Sequence, residues 1–246
     1  HFAQIAFGNF FYPQNVMRHC SVLMVQGKES MKRNTTIALA YWLVLFVVLL
    51  AAGGIRETAE SVSIALVALG LTYLVLACSP FLIVKFIERR PIASLGLCLN
   101  SPLRIALWGV GAFILISTFS ILETWYRVSF LQEALASAAP IPSNWLMEIA
   151  LQLLLVGLPE EIYNRGYLLT RLRESWGTWP ALLISSLLFG VMHLGMGDLT
   201  RAIQAGLSGL VFGWAFLATE SVYAPALTHI LGNLFGTTVV RVVLSL

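Results

Sequence analysis

Charge is scarce in this chain: of 246 residues only 11% are Asp, Glu, Lys or Arg, against 58% hydrophobic. That excludes an ordinary water-soluble domain and points to a polytopic membrane protein. No basic cluster accompanies the formal charge of +3, so no nucleic-acid partner is expected. Only three cysteines occur, Cys20, Cys78 and Cys98. They share no metal-ligand spacing, and two lie in or near apolar runs, so they read as small buried hydrophobes. No internal repeat is visible, which leaves an inverted-repeat transporter without support. The pattern H-E-x-x-H, which sets two zinc ligands and a base on one helix, is also missing. So is a Ser or Cys placed as a triad would require.

What is present are apolar runs long enough to span a bilayer, at 36–54, 62–87, 103–122, 144–170, 179–196, 202–218 and 222–244. They predict an all-α, polytopic transmembrane helical bundle of about seven spans. Residues 1–30 have no helical period and no continuous apolar region of the signal-peptide kind, and Met31-Lys32-Arg33-Asn34 looks like an ordinary start. They read as an atypical extension, misassigned or poorly ordered. Residues 31–140 are expected to hold the N-terminal membrane helices and a connector, and 141–246 the C-terminal transmembrane core. The segment 88–102, with Pro91 and Pro102, reads as an interfacial connector, and 123–143 as an outer loop.

With the N-terminus cytoplasmic, the inner segments carry nine basic residues: Lys32, Arg33, Lys85, Arg89, Arg90, Arg104, Arg165, Arg171 and Arg173. The outer ones carry four: Arg56, Arg127, Arg201 and Arg241. The positive-inside bias therefore predicts an integral protein of the plasma (inner) membrane with its N-terminus inside.

Ionisable residues inside a membrane helix cost at least ~2.5–3.5 kcal/mol each and mark functional sites by default. In LLLVGLPEEIYNRGYLLTRLR, Glu160, Glu161 and Arg165 fall within six positions. On a helix, Glu161 and Arg165 are i,i+4 neighbours and can pair, while Glu160 points about 100° away. Phe189 and His193 form a second i,i+4 pair, and His229 and Asn233 a third. Each has a plain reading as packing or interhelical glue. Their shared depth favours a site.

Glu160 lies 17 residues before a helix break at Gly177, and His193 lies 16 after it, so both sit ~25 Å from the turn. His229 lies nine residues beyond a turn near Glu220, ~13 Å deep. The two depths agree if Arg171, Arg173 and Glu174 project into water, which puts the membrane surface near residue 170. The four polar side chains then converge in one cavity opening to the cytoplasm. Gly206, Gly209 and Gly213 share one face of the sixth span, suited to close helix packing or to bordering a lateral slot.

A carboxylate and an imidazole facing each other in such a cavity can share and activate a water. A second imidazole and an amide can act on an oxyanion. That inventory suffices for peptide hydrolysis without a covalent nucleophile.

The series Glu-Glu-x-x-x-Arg (Glu160, Glu161, Arg165, then Gly166), Phe-x-x-x-His (Phe189, His193) and His-x-x-x-Asn (His229, Asn233) resembles the CPBP family. These are intramembrane proteases of the type II CAAX prenyl endopeptidase-like and bacteriocin-processing (Abi) kind. The resemblance covers about residues 145–235, and the N-terminal third carries no recognisable marker. It implies that Glu160 and His193 activate water, that His229 and Asn233 form the oxyanion site, and that Glu161, Arg165 and Phe189 support it. No cofactor is required on this reading, and the partners are the bilayer and a peptide or protein substrate, lipid-anchored or hydrophobic ones included. The motifs do not choose among CAAX processing, bacteriocin processing and immunity.

Two rival readings stand beside it. One is a zinc-dependent version of the same protease, with Glu160, His193 and His229 as ligands. Three helices would have to supply them, and no second carboxylate is evident to orient the imidazoles. The other is a non-catalytic immunity or peptide-binding membrane protein using the same cavity.

Overall fold

The computed structural model describes residues 28–58, 62–130, 144–196 and 199–244. All regular structure among them is helical. Helix α1 runs Lys28–Thr58, α2 Val62–Leu82, α3 Pro102–Phe130, α4 Trp145–Leu154, α5 Gly157–Glu161, α6 Thr170–Trp176, α7 Thr178–Met192, α8 Leu199–Thr219 and α9 Tyr223–Leu244. A π-helix, Ile162–Leu169, joins α5 to α6. Within α1, α2, α3 and α8 lie stretches long and apolar enough to cross a membrane; the one in α2 continues through a π-turn to Ile87. Leu43, Val67, Leu74, Leu107, Ile114 and Leu187 are all exposed, as lipid-facing residues should be where the surrounding solvent is hydrocarbon. The molecule is a helical membrane bundle.

Each expected span corresponds to a helical segment, but the boundaries differ. Helix α1 starts at Lys28, crossing the expected division at residue 30, and residues 1–27 lie outside the described residues. Helix α3 continues to Phe130, through the first third of the stretch expected as an outer loop. Its tail carries Glu123, which accepts two hydrogen bonds from Gln204 at 2.7 and 2.8 Å. That partner lets a polar tail remain helical. Residues 131–143 lie outside the described part. Cys78 is exposed on α2 rather than buried.

The span expected at 144–170 is the most altered. It is broken at Leu155 and Val156, whose backbone leaves the helical region at φ −124° and −110°. The chain restarts at Gly157, and Pro159 falls in the new first turn, where its missing N–H interrupts nothing. The π-helix follows at once.

The connector 88–102 docks on the core through its buried residues Glu88, Arg90, Leu95 and Gly96. Arg171 is wholly buried and binds both oxygens of Glu88 at 2.7–3.2 Å and Ser94 Oγ at 3.2 Å. Arg90 pairs with Glu174 at 2.8 Å, and Arg173 with Glu220 at 2.8 Å. The turn at Glu220 (φ +52°) is stitched to the connector by Ser221 Oγ donating to the Cys98 carbonyl at 2.7 Å and Val222 N to that of Gly96 at 3.0 Å. Gly166 makes this docking feasible, because a Cβ there would stand 2.4 Å from the Leu95 carbonyl oxygen.

The glycine face of α8 packs against α7. A Cβ at Gly213 would lie 2.4 Å from Leu182, and one at Gly209 would lie 3.2 Å from Ser186. The expected close packing is realised.

Candidate active site

Glu161 is fully buried, and its carboxylate is held from two sides. Arg165 Nη1 approaches both of its oxygens at 3.1 Å, as the i,i+4 spacing predicted. His229 Nδ1 meets Oε1 at 2.8 Å from α9. Arg165 also donates to the Gly209 carbonyl at 3.2 Å, and its guanidinium lies over the rings of Phe189 (4.4 Å) and Phe212 (5.1 Å). Phe212 in turn stacks on His229 at 5.2 Å. One buried charge pair thus gathers the π-helix, α7, α8 and α9. Removing a single partner from such a pair leaves a buried charge uncompensated.

Glu160, the neighbouring carboxylate, points elsewhere. It lines a cavity of about 20 Å³ together with Leu49, Tyr73, Leu76, Asn164, Phe189, Met192 and His193. One water needs roughly 10–15 Å³ of such space, so the cavity admits a single water. His193 Nδ1 lies 2.8 Å from the Phe189 carbonyl. A carbonyl can only accept, so Nδ1 carries the proton and Nε2 of the neutral ring is left as an acceptor. The structure therefore brings Glu160 and His193 together, with Phe189 both supplying the carbonyl that sets the tautomer and packing on the imidazole at 4.7 Å.

The other two expected members sit differently. His229 is buried against Glu161 and Phe212 and is not among the residues lining that cavity. Asn233 is exposed, and its amide donates to Gln152 Oε1 at 2.8 Å, while Gln152 donates to Glu148 at 3.1 Å. Gln152, on the far side of the helix break at Leu155–Val156, carried no motif that sequence reasoning could have caught.

Among the described residues no three or more His, Cys, Asp or Glu side chains are grouped so as to hold a metal ion. One premise used against zinc is overturned, however. Both imidazoles do have an orienting acceptor, Glu161 for His229 and the Phe189 carbonyl for His193.

The expected position of the cavity also changes. Its premise was that Arg171, Arg173 and Glu174 stand in water, yet Arg171 is fully buried and Glu174 pairs with Arg90. Protein, not water, compensates these charges. His193 follows the last residue of α7, sixteen residues or ~24 Å from Gly177. The cavity thus lies toward the Met196–Leu199 end of the bundle and away from the turns at Gly177 and Glu220. Because Arg90, Arg165 and Arg171 are buried, three of the nine inner charges no longer count toward orientation, leaving six against four.

Residues 142–235 match the model of one protein family, described as Type II CAAX prenyl endopeptidase Rce1-like. No curated protein and no solved structure matches the chain.

Proposed function

Residues 142–235 match the Type II CAAX prenyl endopeptidase Rce1-like family, and on that premise we propose that the protein is an intramembrane endopeptidase in which Glu160 and His193 activate a water. The observation that carries the proposal is the water-sized cavity lined by both side chains inside an apolar bundle. At family level the match implies a protease acting on a protein or peptide in the membrane.

In the proposed reaction the water oxygen attacks the scissile carbonyl carbon as Glu160 takes one of its protons. A C–O bond forms, and the carbonyl oxygen becomes an oxyanion. His229 and Asn233 are assigned to that oxyanion. Glu161 supplies the counter-charge to the imidazolium form of His229, whose Nε2–H is then the donor, and Asn233 engages by exchanging Gln152 for the substrate. Collapse breaks the C–N bond, and the proton held by Glu160 passes to the leaving amine. Glu161 and Arg165 hold the architecture, and no cofactor enters.

The test uses the full chain in lipid nanodiscs with quenched-fluorescent peptides, with and without a farnesylated cysteine. Cleavage by the native protein and its loss in Glu160→Gln, which keeps shape but removes the base, is the expected result. Unchanged cleavage by Glu160→Gln overturns the enzyme assignment. Stoichiometric zinc whose removal abolishes turnover overturns the metal-free mechanism.

A further inference from the structure

Asn164 is 2% exposed and sits one helical turn after Glu160. Its Nδ2 donates to the Glu160 carbonyl at 2.8 Å. Because a carbonyl can only accept, that contact fixes which end of the amide is nitrogen. The oxygen, Oδ1, is buried and meets no donor among the described residues. A buried amide oxygen without a donor has lost its water and gained nothing in exchange, so such an atom calls for a partner. The same side chain lines the cavity shared by Glu160 and His193.

We propose that Asn164 is a water-positioning residue, its Oδ1 accepting the hydrogen of the attacking water that is not removed. The assignment rests on the hydrolytic reading above and extends it. Besides the Tyr73 hydroxyl, three of the residues lining the cavity offer an acceptor: the Glu160 carboxylate, Nε2 of His193 and Oδ1 of Asn164. A water has only two hydrogens to donate. Two of the three acceptors are bases, and the third, an amide oxygen, is not. The bases therefore compete for the proton that leaves, while the amide holds the one that stays on oxygen. That arrangement turns a water lone pair away from all three groups, toward the space a scissile carbonyl would enter. Tethering Asn164 to the backbone of Glu160 keeps base and amide in fixed register.

The experiment compares Asn164→Thr and Asn164→Leu in the full chain. In a helix, Thr returns a hydroxyl hydrogen bond to the carbonyl four residues back, so it keeps the bond to Glu160 while withdrawing the acceptor from the cavity. Leu removes both. Both variants are expected to lose kcat by ~10²–10³-fold, the order seen when one positioned hydrogen bond is removed from a reacting centre. KM should stay within about twofold, because a water-holding group adds little to substrate binding. Asn164→Thr should also keep the native unfolding midpoint.

A fully active Asn164→Thr, in a protein that Glu160→Gln inactivates, overturns this inference and leaves the hydrolytic reading intact. Lost turnover accompanied by a lowered midpoint in Asn164→Thr assigns Asn164 a structural role and overturns it as well. If Glu160→Gln itself retains activity, the hydrolytic reading fails first and the assignment of Asn164 falls with it.

Discussion

At the scale of single residues, adjacent carboxylates are given opposite tasks by direction alone. Glu161 is enclosed by Arg165 and His229, whereas Glu160 faces the cavity with His193. Glu160→Ala and His193→Ala are each expected to remove nearly all turnover while folding is retained. Their double variant should lose little more, since groups acting on one water are not additive. Additive losses, measured by single-turnover kinetics, would count against a shared water. Asn233→Ala should fall short of full inactivation, by ~10²-fold, because an oxyanion donor contributes on that order. The Gln152 contact adds a further expectation. Gln152→Leu frees the Asn233 amide from its resting partner, so its KM should move while Glu160-dependent chemistry persists. An unchanged KM would show that the Gln152–Asn233 contact does not oppose substrate entry.

At the scale of elements, the break at Leu155–Val156 and the π-helix after Glu161 place the site. Widened helical turns commonly occur at functional sites. Here the π-helix presents Tyr163 and Tyr167 to α1, where both rings pack on Tyr41, and Arg165 to α7 and α8. Arg165→Ala leaves Glu161 a buried anion with only His229, and a loss of about 3–5 kcal/mol is expected. Replacing both, as Glu161→Leu with Arg165→Met, should restore much of the unfolding midpoint but not the activity, because His229 loses its orienting carboxylate. Restored activity in the double variant would remove Glu161 from the site. Gly166→Ala tests the docking of the connector. Its Cβ would stand 2.4 Å from the Leu95 carbonyl, so destabilisation is expected even though the residue touches no substrate. A native midpoint would mean that the connector moves aside at little cost.

At the scale of the whole molecule, two polar centres lie toward opposite ends of the bundle. The ion pairs of Glu88, Arg90, Arg171, Arg173, Glu174 and Glu220 gather near the Gly177 and Glu220 turns, and the cavity lies toward the other end. The consequence is testable by thiol modification in a background with Cys78 replaced. A cysteine at Leu194, exposed beside His193, should inhibit cleavage once labelled with a bulky reagent. One at Trp176, exposed beside Gly177, should label without effect. The reverse pattern would return the cavity mouth to the Gly177 side, and the use of impermeant reagents would report which end faces the cytoplasm.

Composition and apolar run length by themselves determined a helical membrane bundle, because a bilayer leaves helices or closed barrels as the only spanning structures and this chain shows helical-length runs. Spacing determined the Glu161–Arg165 pair, since i,i+4 contacts are local to one helix. Polarity marked Glu160 and His193, because polar groups at membrane depth stand out against an apolar background, and spacing marked Phe189, four residues before His193. Tertiary structure alone decided that Glu161 would claim His229, that Asn233 would rest on Gln152, and that Arg171 would be buried on Glu88 rather than carried into water. Those pairings join residues 68 to 83 positions apart. No helical period encodes them. They follow from how a broken helix, a π-turn and a docked connector pack together, and that packing places the cavity away from the charged turns.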